Sequence, residues 1–243
     1  FGKVINVINF RIIKSYLPLD VVIMAGGRGE RLKPMTDSVP KPMLKVGDKP
    51  IIEHNIDRLI NFGIDDFWIS IRYLGEQIFN YFGDGKKKGV EISYINEDSP
   101  LGTIGAVGKI NDFKHNIVLV TNSDILTNIN YEDFYLSFLS SGADLSVVTI
   151  PYAVLETENE YVISFKEKPT YTYFSNGGIY LIKKEILKLI PTNSYFNATE
   201  LMEAIIQKGG KIHSYPLHGY WLDIGKHEDF KKAETDIKHI NFK

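Results

Sequence analysis

The sequence predicts an α/β fold in which helices cover both faces of a mostly parallel central sheet. Short β-branched runs bounded by glycine alternate with stretches in which apolar residues recur at helical spacing. The chain has 243 residues, 44% of them apolar and 12% aromatic, so one large domain can bury a continuous core. Such alternation places ligand crevices at the carboxyl ends of parallel strands. Functional motifs are therefore expected just after strands.

The first half of the chain carries this alternation. The run Val21-Val22-Ile23-Met24 ends abruptly at glycines, which is typical of a buried strand. From Ile51 onwards apolar residues follow helical spacing and stop before Gly63, a common helix terminator. The pattern predicts strands over residues 21–24, 67–71, 92–95 and 117–121, and helices over residues 51–62, 77–82 and 104–108.

The second half is more mixed. Apolar and β-branched runs predict strands over residues 145–150, 162–165, 178–182 and 212–217. Helical spacing predicts helices over residues 184–189, 199–207 and 227–237.

The bulk properties exclude several classes of protein. A formal charge of −2 gives no general attraction to nucleic acid or to an anionic membrane. The absence of cysteine excludes disulfides and thiolate metal sites and suits a cytoplasmic protein. No apolar run approaches the ~20 residues that span a bilayer, and Lys3, Arg11 and Lys14 make the first segment unlike a signal peptide. Because the chain begins with Phe1 and residues 4–8 predict a strand, we expect residues 1–19 to be the tail of a preceding region or a linker.

A glycine-rich stretch, Ala25-Gly26-Gly27-Arg28-Gly29-Glu30-Arg31-Leu32, directly follows the first predicted strand. Glycines let the backbone approach a phosphate or a base, and successive N–H groups can bind anions. A plain strand-to-loop turn explains many such stretches equally well. Arg31 and Lys41 favour a triphosphate, because they return two cations to the same strand end. Neither G-x-G-x-x-G nor the P-loop pattern fits this stretch.

Two aspartates are candidate metal ligands. Asp124 ends Thr121-Asn122-Ser123-Asp124 after an apolar strand, where a carboxylate faces the expected crevice. A lone aspartate there is more often a helix cap or a turn residue. Asp223, in Trp221-Leu222-Asp223-Ile224-Gly225, offers a partner, because an unpaired charge in an apolar context is costly.

A third group of polar residues also follows predicted strands. Taken alone, Glu167-Lys168-Pro169 is an ordinary solvated turn. Together with Asn176-Gly177-Gly178, it could hold a polyol by hydrogen bonds and a phosphate by one lysine.

Six stretches, in this order over roughly residues 20–237, resemble the sugar-1-phosphate nucleotidyltransferases. They are Gly26-Gly27-Arg28-Gly29-Glu30-Arg31-Leu32 with Lys41-Pro42, Leu101-Gly102-Thr103-Ile104-Gly105-Ala106, Asn122-Ser123-Asp124, Glu167-Lys168-Pro169, Asn176-Gly177-Gly178-Ile179-Tyr180 and Trp221-Leu222-Asp223-Ile224-Gly225. More narrowly, residues 19–27 look like the junction at which a pair of CBS regulatory modules precedes a mannose-1-phosphate-guanylyltransferase-like domain in bacterial proteins. The resemblance implies a Rossmann-like three-layer nucleotide-diphospho-sugar transferase fold with a mixed, mostly parallel sheet, and a catalytic domain over residues 20–243.

The resemblance also implies a role for each matching residue. Nucleotide-binding residues would be Ala25, Gly26, Gly27, Gly29, Glu97, Gly102 and Thr103. Catalytic residues would be Arg31 on the departing pyrophosphate, Lys41 on the α-phosphate and Lys168 on the phosphate of the sugar 1-phosphate. Sugar-binding residues would be Glu167, Asn176 and Gly178, and Asp124 and Asp223 would share a catalytic Mg²⁺.

The implied activity joins a nucleoside triphosphate, with GTP favoured, to a sugar 1-phosphate and releases pyrophosphate. Two alternatives stay open: a non-catalytic nucleotide-sugar-binding regulatory subunit, and a cytidylyltransferase that acts on a phospho-alcohol. The expected partners are the two substrates, with neither nucleic acid nor membrane. Upstream regulatory modules in the same polypeptide and a homo-oligomer are further expectations.

Overall fold

A seven-stranded sheet forms the centre of the chain in a computed structural model that describes residues 15–151, 155–158, 161–165 and 174–240. The strands of the described residues are β1 Asp20–Met24, β2 Lys45–Val46, β3 Lys49–Pro50, β4 Asp66–Ile71, β5 Glu91–Asn96, β6 Ile117–Asn122, β7 Ile125–Thr127, β8 Leu145–Pro151, β9 Leu155–Glu158, β10 Tyr161–Phe165, β11 Phe174–Lys183, β12 Ile212–Pro216 and β13 Trp221–Asp223. The α-helices are α1 Ile51–Ile60, α2 Gly75–Phe82, α3 Tyr131–Ser141, α4 Ala198–Gln207 and α5 His227–Asp236.

The sheet is mixed and mostly parallel, which confirms the predicted fold class. Its strand order is β12-β8-β11-β6-β1-β4-β5. All neighbouring pairs are parallel except those of β11, which runs antiparallel to both β6 and β8. The carboxyl ends of β6, β1, β4 and β5 therefore lie side by side at one edge of the sheet.

Helices pack on both faces, because side chains of successive strand residues point to opposite sides. Val21 and Ile23 join one buried cluster with α1, α2 and α3, whereas Val22 joins another with α4. A third, smaller cluster holds α5 against the loop that follows the glycine-rich stretch. The result is the predicted three-layer arrangement.

The predicted elements are largely present, with a few differences. Each strand predicted between residues 20 and 217 exists within a residue or two, apart from β11, which extends to residues 174–183. The helices expected over residues 104–108 and 184–189 are 3₁₀ turns instead of α-helices, at Gly105–Lys109 and Lys184–Leu189. Helix α3, strand β9 and the short pairs β2–β3 and β7–β13 were not predicted.

The segment before β1 packs onto the domain. The Leu17 N–H donates to the Phe62 carbonyl at 3.0 Å, and Leu17 and Leu19 are buried in the cluster around α1. The strand predicted at residues 4–8 lies outside the described residues. Among the residues that the structure describes, the helices are too short or too polar to traverse a lipid bilayer.

Candidate active site

A cavity of about 510 Å³ opens at the carboxyl ends of β6, β1, β4 and β5. It contains most of the residues to which the sequence assigns nucleotide or metal binding. Its lining includes Gly26, Gly27, Gly29, Arg31, Lys41, Glu97, Gly102, Thr103 and Asp124. Ala25 is not among the lining residues: it is buried at the end of β1, where its N–H donates to the Ser70 carbonyl at 3.0 Å.

The glycine-rich stretch forms one wall of this cavity, and its glycines differ in their surroundings. Gly29 has a φ of 65°, and a Cβ there would lie 2.9 Å from the Lys41 Cβ. A Cβ on Gly26 would lie 2.5 Å from a Glu97 carboxylate oxygen. Around Gly27, by contrast, there is open space within 4 Å of a Cβ. Gly29 is thus required by the backbone and Gly26 leaves space for the Glu97 carboxylate, whereas Gly27 presents bare backbone to the cavity.

Pairing between β7 and β13 brings the two candidate metal ligands together across about 100 residues of sequence. In this pair Asp223 lies opposite Ile125, and the Ile224 N–H donates to the Asp124 carbonyl at 3.0 Å. The loop that carries Asp124 is fixed from below by Asn55 of α1, whose amide donates to the Ser123 carbonyl at 3.2 Å. The two carboxylates therefore occupy neighbouring positions on a rigid support.

Lys41 is the cation nearest to this pair of carboxylates. The Lys41 side chain is 12% exposed, and its ammonium donates a hydrogen bond to Asp124 and lies 4.0 Å from an Asp223 oxygen. Burial and the nearby Asp124 charge raise the pKa of Asp223, and Lys41 and Arg31 oppose that rise. The carboxylates thus repel each other, and the charges of Lys41 and Arg31 only partly offset the effects of burial and repulsion.

These two aspartates fit a divalent cation. The Oδ1 atoms of both Asp124 and Asp223 are buried and lack a hydrogen-bond partner among the described residues, which is costly unless a ligand satisfies them. Mg²⁺ prefers carboxylate oxygens, and in nucleotide sites it is usually held by one or two of them together with substrate phosphates. The donor set is therefore suited to the predicted Mg²⁺.

A second group of possible ligands lies at the opposite edge of the sheet. Ligand atoms of Asp20, Asp66 and His115 come within 4.8 Å of one another. Asp20 already accepts the N–H groups of Lys114 and His115, at 3.1 and 2.7 Å, and the Lys114 ammonium contacts Asp66. Because this group is compensated internally and is remote from the cavity, it is not the predicted metal site.

A second cavity, of about 360 Å³, adjoins the first, and Thr103 and Asn122 line both. Asn176, Gly178 and Asp223 are among its lining residues, so two of the three predicted sugar-binding residues lie together. The Asn176 side-chain oxygen accepts the Gly178 N–H at 2.9 Å and the Tyr180 hydroxyl at 3.0 Å. The third, Glu167, and the predicted phosphate ligand Lys168 lie outside the described residues.

The residues predicted at the base and ribose end are held by hydrogen bonds. Glu97 is buried, and its carboxylate accepts the Ser70 hydroxyl and the Leu101 N–H, the latter at 3.2 Å. The Thr103 hydroxyl accepts the Ala198 N–H at 2.9 Å at the start of α4. The Glu97 and Thr103 side chains therefore stabilise the cavity wall through these hydrogen bonds.

The lining residues that were given no role from the sequence include Arg72, Asn122 and Tyr195. Arg72 directly follows β4, and Asn122 ends β6, so the expectation that functional residues follow strands would have found both. Tyr195 lies on a loop between a 3₁₀ turn and α4 and is 61% exposed. Nothing in the sequence around Tyr195 indicates that it reaches the cavity.

The family model described as Nucleotidyl transferase matches residues 20–239, which is most of the chain. The chain belongs to the nucleotidyl transferase family. Two relatives act on sugar 1-phosphates by name. D-glycero-alpha-D-manno-heptose 1-phosphate guanylyltransferase of Aneurinibacillus thermoaerophilus is 31% identical over 91% of this chain and 99% of its own length. Mannose-1-phosphate guanylyltransferase of Mycobacterium tuberculosis is 30% identical over 90% of this chain and 64% of its own length.

Among solved structures, HddC from Yersinia pseudotuberculosis complexed with GMP-PN has the same fold. It is 26% identical, covers 90% of this nucleotidyl transferase chain and 99% of its own, and superposes with a TM-score of 0.71. The family resemblance and the fold class inferred from the sequence are thus confirmed. The relatives are enzymes, namely sugar-1-phosphate nucleotidyltransferases, and one of them is no longer than the matched region.

Proposed function

We propose that this chain transfers GMP from GTP to a sugar 1-phosphate, in a Mg²⁺-dependent reaction that releases pyrophosphate. The observation that carries the proposal is the position of Asp124 and Asp223. Asp124 lines the larger cavity and Asp223 the smaller one, and the two residues are neighbours across the β7–β13 pair. A pair of carboxylates at the junction of two cavities suits phosphoryl transfer between a ligand in one cavity and a ligand in the other.

The chemistry needs no covalent enzyme intermediate. A phosphate oxygen of the sugar 1-phosphate attacks the α-phosphorus of GTP and forms a new P–O bond. The bond between the α-phosphorus and its bridging oxygen breaks, and pyrophosphate leaves with the electron pair. The attacking phosphate is already ionised near neutral pH, so catalysis consists of positioning and electrostatic stabilisation.

The residues of the chain divide this task. Lys41 and Arg31 supply positive charge beside the aspartates, where the α-phosphate and the departing pyrophosphate would lie. Gly27 leaves room for the phosphates to approach the backbone. A Mg²⁺ ion held by Asp124 and Asp223 would offset the negative charge of the two substrates. Asn176 and Gly178 would bind the sugar in the smaller cavity, with Glu167 and Lys168 assigned there by resemblance alone.

The choice of substrates rests on the relatives. Both guanylyltransferases act on manno-configured sugar phosphates by name, and the structural relative HddC was solved with a guanine nucleotide analogue. We therefore assign GTP and a mannose- or heptose-type sugar 1-phosphate to this chain. The proposal also includes residues 20–243 as the catalytic domain, upstream regulatory modules and a cytoplasmic location.

The test is pyrophosphate release with Mg²⁺ across GTP, dTTP, UTP, CTP and ATP, each paired with mannose, heptose, glucose and glucosamine 1-phosphates and with phosphocholine. We expect release only when both substrates are present, and most with GTP and a manno-configured sugar. Asp124→Asn should abolish release, whereas Asp112→Asn, an exposed aspartate outside the cavities, should not. Silence across the grid with intact binding of GDP-sugars would favour a regulatory binding subunit. Release with CTP and phosphocholine alone would favour a phospho-alcohol cytidylyltransferase.

A further inference from the structure

Arg72 is a charged residue of the larger cavity whose side chain has no evident structural task. It follows β4 directly and lines the cavity wall. Its Nε is buried and has no hydrogen-bond partner among the described residues. A buried N–H group without a partner costs free energy unless a ligand accepts its hydrogen bond. Arg72 therefore requires an acceptor that the described part of the chain does not supply.

The sheet order separates Arg72 from the phosphate end of the cavity. Along the carboxyl edge, Asp124 follows β6, Gly26 follows β1, Arg72 follows β4 and Glu97 follows β5. Neighbouring strands lie about 4.8 Å apart, so the backbone at Arg72 is two strands, roughly 10 Å, from that at Asp124. The Arg72 backbone thus lies between the glycine-rich stretch and Glu97.

The phosphate end already has its own cations. Lys41 contacts Asp124, and a Cβ placed on Gly225 would lie 3.5 Å from the Arg31 guanidinium, which puts Arg31 beside the strand that carries Asp223. Arg31 and Lys41 both oppose the rise in the pKa of Asp223, so their positive charge acts at the phosphate end. The two ends of the cavity therefore carry separate positive groups.

At its own end, Arg72 lacks a carboxylate partner. The neighbouring Glu97 is engaged by Ser70 and by the Leu101 N–H, and no described carboxylate lies within ion-pair distance of Arg72. A guanidinium presents several N–H donors in a rigid planar fork and has no acceptor. A planar group with two adjacent acceptors matches this fork.

Among nucleobases, guanine offers that pattern. Its O6 and N7 are adjacent acceptors that pair with arginine in a bidentate manner. On the corresponding major-groove edge, adenine places an amino donor beside N7, cytosine presents an amino donor, and uracil or thymine presents one carbonyl beside a carbon. We infer that Arg72 is a specificity-determining residue that binds the O6/N7 edge of the guanine base. This inference rests on the proposed function for the identity of the cavity's ligand, and it assigns a base-reading role to a side chain that has none so far.

The test compares GMP and AMP binding by calorimetry in the wild-type protein, in Arg72→Lys and in Arg72→Ala. Losing a bidentate pair should weaken GMP binding on the order of 10- to 100-fold and leave AMP binding unchanged. Arg72→Lys keeps the charge but not the fork, so it should lose most of the preference for GMP as well. Lys87→Ala, which removes an exposed lysine charge outside the cavity, and Asn80→Ala, in a neighbouring cavity that Arg72 also lines, should change neither affinity.

The outcomes separate three readings. Equal weakening of GMP and AMP, with rescue by lysine, would make Arg72 a phosphate ligand and overturn the inference. A lowered Tm with unchanged affinities would make it a structural residue and would also overturn it. Because the readout is binding, a wild-type protein that is inactive in every substrate pairing but prefers GMP through Arg72 would refute the proposed function and leave this inference standing.

Discussion

Gly27→Ala should separate folding from nucleotide binding in this protein. A Cβ at Gly27 meets nothing within 4 Å, and the φ of this residue is not positive. The substitution therefore adds no clash, and by restricting the unfolded chain it should raise the free energy of unfolding by about 0.4–1 kcal/mol. For a chain of this size that corresponds to a Tm increase of up to about 4 °C.

The same methyl group projects into the space that we assign to the phosphates of GTP. A displacement of about 1 Å at a reacting centre can cost on the order of 100-fold in rate. We expect the KM for GTP to rise and kcat/KM to fall by roughly that factor, while the KM for the sugar 1-phosphate stays the same. The assay is pyrophosphate release at saturating sugar 1-phosphate, combined with a thermal melt.

The matched control is Gly142→Ala at the end of α3, remote from both cavities. There too a Cβ meets nothing within 4 Å, but φ is 62°. The left-handed backbone should cost about 1–2 kcal/mol of stability with no change in KM. Normal GTP kinetics in Gly27→Ala would refute the claim that the nucleotide lies against this backbone. A lowered Tm in Gly27→Ala would show that a methyl group at this position does not fit without a clash.

Three further changes probe the junction of the cavities. Burial and the Asp124 charge disfavour only the charged form of Asp223, so without metal the Tm of Asp223→Asn should exceed that of wild type at neutral pH. This difference in Tm should vanish as the pH falls through the raised pKa of Asp223 towards its ordinary value of 3.8. A difference in Tm that does not change with pH would contradict this prediction. Lys41→Met removes the cation nearest to the two carboxylates, so Mg²⁺ should raise the Tm of this variant more than that of wild type in a fluorimetric melt. Equal shifts would count against a shared Mg²⁺ site. Asn176→Asp keeps the oxygen that accepts from Gly178 and Tyr180 but loses the amide donor, so the KM for the sugar 1-phosphate alone should rise about 10-fold or less. A rise in the KM for GTP instead would contradict the assignment of the sugar to the smaller cavity.

Much of the fold follows from local sequence patterns, because the spacing of apolar residues and the glycines at strand ends identify the strands of the central sheet. Helix α3 escaped prediction because Leu136 and Leu139 are exposed and blur the apolar stripe that Phe134 and Phe138 form. Asn130, whose side chain accepts N–H groups of the first turn, is a typical N-cap and was the feature of the sequence that could have indicated the start of this helix. The β7–β13 pair involves strands of three residues separated by about 100 positions, and no local pattern reports such pairing.

The candidate site was predictable to the extent that it follows strand ends. Sequence order and family resemblance found Lys41, Asp124 and Asp223, which the structure brings together. Resemblance alone could not show that the Glu97 carboxylate is engaged by Ser70 and the Leu101 N–H, because that requires β4 and β5 to be aligned. Arg72 was missed for another reason: it was not part of any motif, although its position after β4 satisfies the general rule.

The most direct test of the account follows the phosphorus atoms of both substrates by ³¹P NMR. GTP and a manno-configured sugar 1-phosphate are incubated in one tube with Mg²⁺ and the wild-type protein. The account predicts that the sugar phosphate and the α-phosphorus of GTP are both converted to the signals of one diphosphate diester, while free pyrophosphate accumulates in equal amount. Loss of GTP to GDP and inorganic phosphate, or no change with every nucleoside triphosphate and sugar tested, would contradict the assignment of nucleotidyl transfer to this site.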